Sequence, residues 1–462
     1  MYFKPQRKPF SFIKFIFYLN IAVFLSCSLK TTGTYKGPPR DNEVELDTTG
    51  ILELNDLSEN LVDFTDLTID TSCDFEEIEY PEGWLEGWRN RLKITVSPSD
   101  DWKEEITNFP LLIHIGSKSG RSNSDLTFIF SILASDLPLP GITITGEDGT
   151  SELFVEIEKW DIAGNEAFLW VKIPQLDPEL DTIVYLYFDS IHPDNSRTVG
   201  FVGSNPAKEV WNDNGFEGVW HLNSVGGYQS VKDSTFHARH GTPGGGMVPL
   251  INLSAGIIGN AIIFDGVDDF ICLEGNAINV NNWDQITIEA WFNAESIDDD
   301  RLVCKATGSA VAMHAFSLGV VNNGPSNNIL RGRVVTGTSP AEQTNFDSQN
   351  SIEINNWYYG TLTWMSEEGL VSIFVNGLPS GSTGNSGPSI KDVDSPLCIG
   401  NINASSIEPR FFKGKIDEVR ISNKRRSDTW ILDTIFFKSA IFVYTFLNLI
   451  DGEVVLKSSK KG

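Results

Sequence analysis

Alternation is the clearest pattern along the chain. Leu92-Lys93-Ile94-Thr95-Val96 sets apolar against polar residues at period two, the mark of a strand with one buried face. Leu111 to Ile115 (after Pro110), Leu153 to Glu158, Ala167 to Ile173 and Thr182 to Phe188 also read as strands, separated by Gly, Pro, Asp and Asn clusters. Ile286 to Phe292, Trp357 to Tyr359, Ile373 to Val375 and Phe412 to Ser422 continue the pattern. Short strands between turn signals predict sandwiches. Ile373-Phe374-Val375 runs into Asn376-Gly377, a pair suited to a type I′ hairpin because both residues tolerate positive φ. The expected fold class is all-β, with two β-sandwich domains.

The N-terminus breaks the pattern. Lys4, Arg7, Lys8 and Lys14 precede an apolar run from Phe15 to Leu25, interrupted by Asn20. That run is too short to span a bilayer, so residues 1–26 read as a cleaved signal peptide. It ends Phe24-Leu25-Ser26-Cys27. This resembles a bacterial lipobox, with Phe24 where Leu is usual, and implies lipidation of Cys27. The protein is then expected to be exported and held at the bacterial outer membrane or cell surface through a lipid anchor. Residues 27–82 form an acidic linker: positions 41–80 hold fourteen Asp and Glu and no Lys or Arg, a composition that self-repels and extends.

Charge narrows the partners. The chain has 35 basic and 62 acidic residues, net −27, and loss of the four signal-peptide cations takes it to −31. Such a surface repels nucleic acid and anionic lipid headgroups, so no nucleic-acid partner is expected. After Cys27 the cysteines are Cys73, Cys272, Cys304 and Cys398. Four allow three pairings, spacing selects none, and buried free thiols remain an alternative.

Two families are resembled in chain order. Trp88-Arg89-Asn90-Arg91, Asn108-Phe109-Pro110-Leu111-Leu112, Gly146-Glu147-Asp148-Gly149, Glu156 to Asp161, Leu169 to Pro174 and Tyr185 to Phe188 resemble the DUF2341 domain over residues 83–205. That module occurs in secreted and surface bacterial proteins and has no settled activity. Val210-Trp211, Gly218 to Leu222, Asp233 to Gly241, Phe264 to Ile271, Ile286 to Phe292, Ile373 to Gly377 and Phe412 to Ser422 resemble a LamG-like (concanavalin A-like) jelly roll over residues 206–437. Residues 438–462 are left as an apolar tail, read as a closing strand, a packed helix or a divergent end.

The LamG-like resemblance implies a structural calcium ion held by Asp233 and Asp417, and calcium takes six to eight oxygen ligands. Strand parity also singles out Asp417, which at strict period two shares a face with Val419 and Ile421, while Glu418 and Arg420 share the other. The alternative for both aspartates is a carboxylate satisfied by turn amides. Asp265, Asp268 and Asp269 around Gly266 read as turn chemistry. His237-x-x-His240 is weak as a zinc pair without cysteines at ligand spacing. No His-Glu-x-x-His, Gly-x-Ser-x-Gly or nucleotide loop occurs. Aromatic platforms for sugar rings are expected at Trp283 and Trp357, each following Asn-Asn. The sequence therefore reads as a non-catalytic surface protein that recognises polysaccharide or a surface glycoprotein. A jelly-roll glycoside hydrolase and a structural scaffold are the alternatives, because such sandwiches host many functions.

Overall fold

Strand Asn90–Val96 buries every second residue, from Asn90 to Val96, while Arg91, Lys93 and Thr95 are half-buried. The alternation read from sequence is thus the alternation of a sheet face. The structure is a computed structural model that describes residues 80–98, 102–120, 122–133, 139–223, 231–248, 251–324, 327–337, 342–403, 409–436, 442–450 and 453–456. The chain divides into residues 1–79 and 80–462. The signal peptide, Cys27, most of the acidic linker and Cys73 lie outside the described residues.

Two sandwiches make up the second unit. In the first, a five-stranded sheet runs in the order Glu453–Leu456, Phe442–Ile450, Asn90–Val96, Thr182–Phe188, Ile142–Thr145. It faces a four-stranded sheet in the order Ile106–Ile115, Glu166–Leu176, Val155–Asp161, Val199–Phe201. Leu92, Ile94 and Leu186 from one sheet and Ile113, Ile157 and Leu169 from the other share a single core. In the second sandwich an eight-stranded sheet, centred on Lys413–Ser422 and Gln285–Ser296, lies over a seven-stranded one. Ile288, Phe292 and Ile416 of the larger sheet pack with Leu318, Leu330 and Val334 of the smaller. The Asn376-Gly377 turn has φ of 52° and 75° and joins Leu370–Val375 to Leu378–Gly384, with Val375 opposite Leu378, as the I′ chemistry requires.

The apolar tail includes a closing strand. After a helix at Asp428–Phe436, Phe442–Ile450 pairs antiparallel with Asn90–Val96, from Val96 opposite Phe442 to Asn90 opposite Asn448. Glu453–Leu456 folds back on it. The first sandwich is therefore built from two separated stretches of chain.

Three cysteines occupy one row across neighbouring strands. Cys398 sits opposite Cys272 on one side and Cys304 on the other. The disulfide joins Cys272 and Cys398. Cys304 is a buried free thiol, and burial pushes it up to about 12, so it stays protonated and unreactive.

Candidate functional site: a sealed carboxylate–histidine cluster beneath the second sandwich

Strand parity fails at Asp417, and the failure builds the most unusual site in the molecule. Ile416, Val419 and Ile421 all enter the core of the second sandwich, although the first two are an odd number apart. A register shift opposite Glu289–Trp291 and a φ of 51° at Glu418 account for it. The bulge adds one residue and changes which face follows. Asp417 does not alternate in step with Val419 and Ile421. Glu418 and Arg420 turn instead toward the first sandwich.

There they meet Glu156 and Glu158. Strand Val155–Asp161 is buried on both faces: Val155 and Ile157 point into the first core, while Glu156 and Glu158 are 0% and 1% exposed. His221, one residue beyond strand Phe216–Trp220, lies between the carboxylates. Its Nδ1 is 2.6 Å from Glu418 Oε1 and 3.5 Å from Glu158 Oε2, and its Nε2 is 3.1 Å from Glu156 Oε2. The carboxylates have other donors as well. Arg420 donates to Glu418 Oε2 at 2.7 Å, the Trp170 indole to Glu158 Oε2 at 2.7 Å, and Asn223 to Glu158 Oε1 at 3.1 Å. The Trp211 indole N–H donates to Glu156 Oε2. The Arg420 guanidinium stacks 4.5 Å above Trp170. Leu222, next to His221, also has a positive φ of 56°. Two non-glycine residues in that region mark a locally constrained backbone.

Charge in so dry a place is expensive unless paired. Burial, reinforced by the Glu418 charge, pushes Glu158 up to about 8. Burial, with the Glu418 and Glu158 charges, also raises Asp417 well above the carboxylate range. Burial alone would lower His221, but the three glutamates outweigh it and hold the imidazole well above its usual value. Burial would raise Glu418, but His221 and Arg420 hold it low. None of these side chains reaches solvent, so the cluster cannot contact a polymer as the structure stands.

The residues nominated from sequence lie elsewhere or are already engaged. Asp233 accepts from the amides of Val219, Thr235 and Arg239 and from the Thr235 hydroxyl, at 2.8 to 3.0 Å. Asp417 Oδ2 accepts from Ile257 and Ile258, and its Oδ1 is buried without a partner. The two aspartates share no donor among these. Asp265 binds the turn amides of Val267, Asp268 and Asp269. His240 accepts from the Asp233 amide, while His237 faces Glu217.

Trp283 and Trp357 are both half-buried. Trp283 packs against the second core. Asn293 pairs with Trp357 at one end of a strand ladder, and Gln285 pairs with Met365 at the other. The eight residue steps between these pairs span roughly 26 Å, so the two tryptophans do not form one platform. Trp283 adjoins a shallow depression of about 340 Å³ lined by Asn279, Asn281, Asn282, Ser389, Lys391 and Asp392.

Residues 265–432 match Laminin_G_3, the concanavalin A-like lectin/glucanases superfamily. The second sandwich is a concanavalin A-like domain. No curated protein matches the chain. Among solved structures the chain is similar to domain 4 of AbnA, a GH43 extracellular arabinanase from Geobacillus stearothermophilus, in complex with arabinotriose. Identity is 20%, over 47% of this chain and 97% of that one, with a TM-score of 0.36. It is also similar to the receptor binding domain of botulinum neurotoxin C/D mosaic serotype, at 13% identity over 48% of this chain and a TM-score of 0.35. The match covers 51% of that toxin domain, about half its length. A third similarity is to a heptameric SAP-like pentraxin from Limulus polyphemus, at 13% identity over 43% of this chain and 94% of that one, with a TM-score of 0.31.

The buried cluster was missed from sequence for a physical reason. Glu156 and Glu158 alternate with Val155 and Ile157, which reads as a solvent face. Trp170 on the neighbouring strand, Trp211 at the end of helix Asn205–Val210, and His221 and Glu418 of the second sandwich together cover that face. The one local signal was tryptophan: Trp170 and Trp211 bring indole donors that buried carboxylates need.

Proposed function

We propose that the protein is an exported, lipid-anchored surface protein whose concanavalin A-like domain recognises glycan without catalysis. The observation that carries this reading is the match of residues 265–432 to the lectin/glucanases superfamily. The depression beside Trp283 supports it. Its asparagine amides, the Ser389 hydroxyl, Lys391 and Asp392 offer both donors and acceptors to sugar hydroxyls, and Trp283 follows directly on the lining residue Asn282. Shallow, polar and open sites suit weak binding to a repeating polymer. The signal-like N-terminus and Cys27 support export, and a disulfide fits an oxidising compartment. The resemblance of the first sandwich to DUF2341 fits a mount between anchor and lectin-like domain.

The test is a glycan array on the full chain with a matched reducing-sugar assay. Binding that is lost in Asn282→Ala and Trp283→Ala supports the reading. Sugar release that depends on one carboxylate moves the protein to the hydrolases, and no binding to any glycan favours a scaffold. Cys27→Ala is expected to release the protein from the membrane fraction. Unchanged fractionation and lipid labelling refute the anchor.

A further inference from the structure

We propose that Glu158, His221 and Glu418 form a structural site for a divalent transition-metal ion of the zinc type, joining the two sandwiches. One ligand atom from each of Glu158, His221 and Glu418 lies within 4.8 Å of the other two, and all three residues are buried. One imidazole nitrogen thus faces two carboxylate oxygens, at 2.6 and 3.5 Å. Nδ1 is at bonding distance only from Glu418, and a cation drawing on all three groups would tie Glu158 to that pair as well.

The surrounding partners match what a ligand set requires. A metal-bound histidine gives its other N–H to a carboxylate, which fixes the ring and raises its basicity; Glu156 Oε2 stands 3.1 Å from His221 Nε2 for that role. Ligating carboxylates are themselves hydrogen-bonded on their remaining positions. Arg420 does this for Glu418 Oε2 and Asn223 for Glu158 Oε1, while the Trp170 indole donates to Glu158 Oε2 itself. The cage also holds more acceptors than donors. Glu156 Oε1 is wholly buried and has no partner, on a side chain that is 0% exposed.

The donor set points to the class of ion. One imidazole with carboxylates suits zinc and its neighbours in the first transition row, while calcium prefers six to eight oxygens. Because the cluster is sealed, the ion is taken up as the sandwiches close, and its role is structural.

The experiment refolds the full chain with equimolar zinc, passes it through a chelator column and measures metal by mass spectrometry. One zinc per chain is expected. Glu158→Gln and Glu418→Gln, which preserve shape, should each fall below about a tenth of an equivalent while keeping the native circular dichroism. Glu156→Gln should bind about 10- to 100-fold more weakly. Refolding the unaltered chain with cobalt(II) should give a visible absorption band that zinc bleaches, a readout independent of how any variant folds. An unaltered chain without stoichiometric metal or a cobalt band overturns the proposal, leaving His221 as a buried imidazolium. So does a folded Glu158→Gln that keeps a full equivalent.

Discussion

Removing the Cys272–Cys398 disulfide should destabilise the concanavalin A-like domain by several kcal/mol. The bridge closes a loop with a sequence separation of 126. Loop-closure entropy for that length is about 16.5 cal/mol/K, or about 4.9 kcal/mol at 25 °C. Native-state strain and residual structure in the unfolded chain usually reduce this, so about 3–5 kcal/mol is expected. At roughly 2–4 °C per kcal/mol for a domain of this size, the melting temperature should fall by roughly 6–20 °C. The variant must be the double one, Cys272→Ala with Cys398→Ala. A single Cys272→Ala leaves Cys398 directly opposite Cys304, free to form the other cross-strand pair. Alanine is preferred to serine because Cys398 is wholly buried and a hydroxyl there would lack a partner. Scanning calorimetry of both proteins, with peptide mapping of the bridge beforehand, reads the outcome. A double variant that melts within about 2 °C of a parent shown to carry the bridge refutes the loop-entropy reasoning.

Burial pushes Asp300 up to about 6, so its folded value lies above its unfolded one and ionisation works against folding. Stability from this group should increase as pH falls through 6 and level off below about 4; Asp300→Asn should raise the melting temperature at pH 7.5 and leave it unchanged near pH 4. Deleting residues 442–456 should expose the edge of Asn90–Val96, giving a lower melting temperature and a chain that aggregates at micromolar concentration; an equally soluble, equally stable truncation would show that the tail pairing contributes little. Calcium at Asp417 would be received by Oδ1, the oxygen without a donor, so saturating calcium should raise the melting temperature of metal-free protein and Asp417→Ala should abolish the rise. A curve unmoved by calcium or chelator removes that ion.

Local rules read the sheets well and the site poorly. The period of Leu92 to Val96 and the Asn376-Gly377 turn follow from interactions within a few residues, and both are found as expected. Asp417 shows where such rules stop: a single residue of positive φ at Glu418 undoes the parity of the strand beyond it, and nothing in Lys415-Ile416-Asp417-Glu418-Val419 announces it. The burial of Glu156 depends on residues 221 and 418, which sequence spacing cannot bring together. Trp283 and Trp357 illustrate a third limit. Their shared Asn-Asn context predicted exposure for each, but their separation depends on ladder register.

The pairing of Asn90–Val96 with Phe442–Ile450 also sets an order of events during synthesis. The partners are 346 to 358 positions apart, and at about 5–20 residues per second the earlier strand waits roughly 18–70 s for the later one. In that interval the whole concanavalin A-like domain is made, and its own neighbours lie within it. The domain nearer the N-terminus is thus the one completed last. Its waiting edge carries Arg91 and Lys93, and cationic side chains on an open edge discourage pairing with stray strands. A nascent chain stalled after residue 437 should therefore present a finished concanavalin A-like domain beside a half-closed partner, susceptible to protease on one side only.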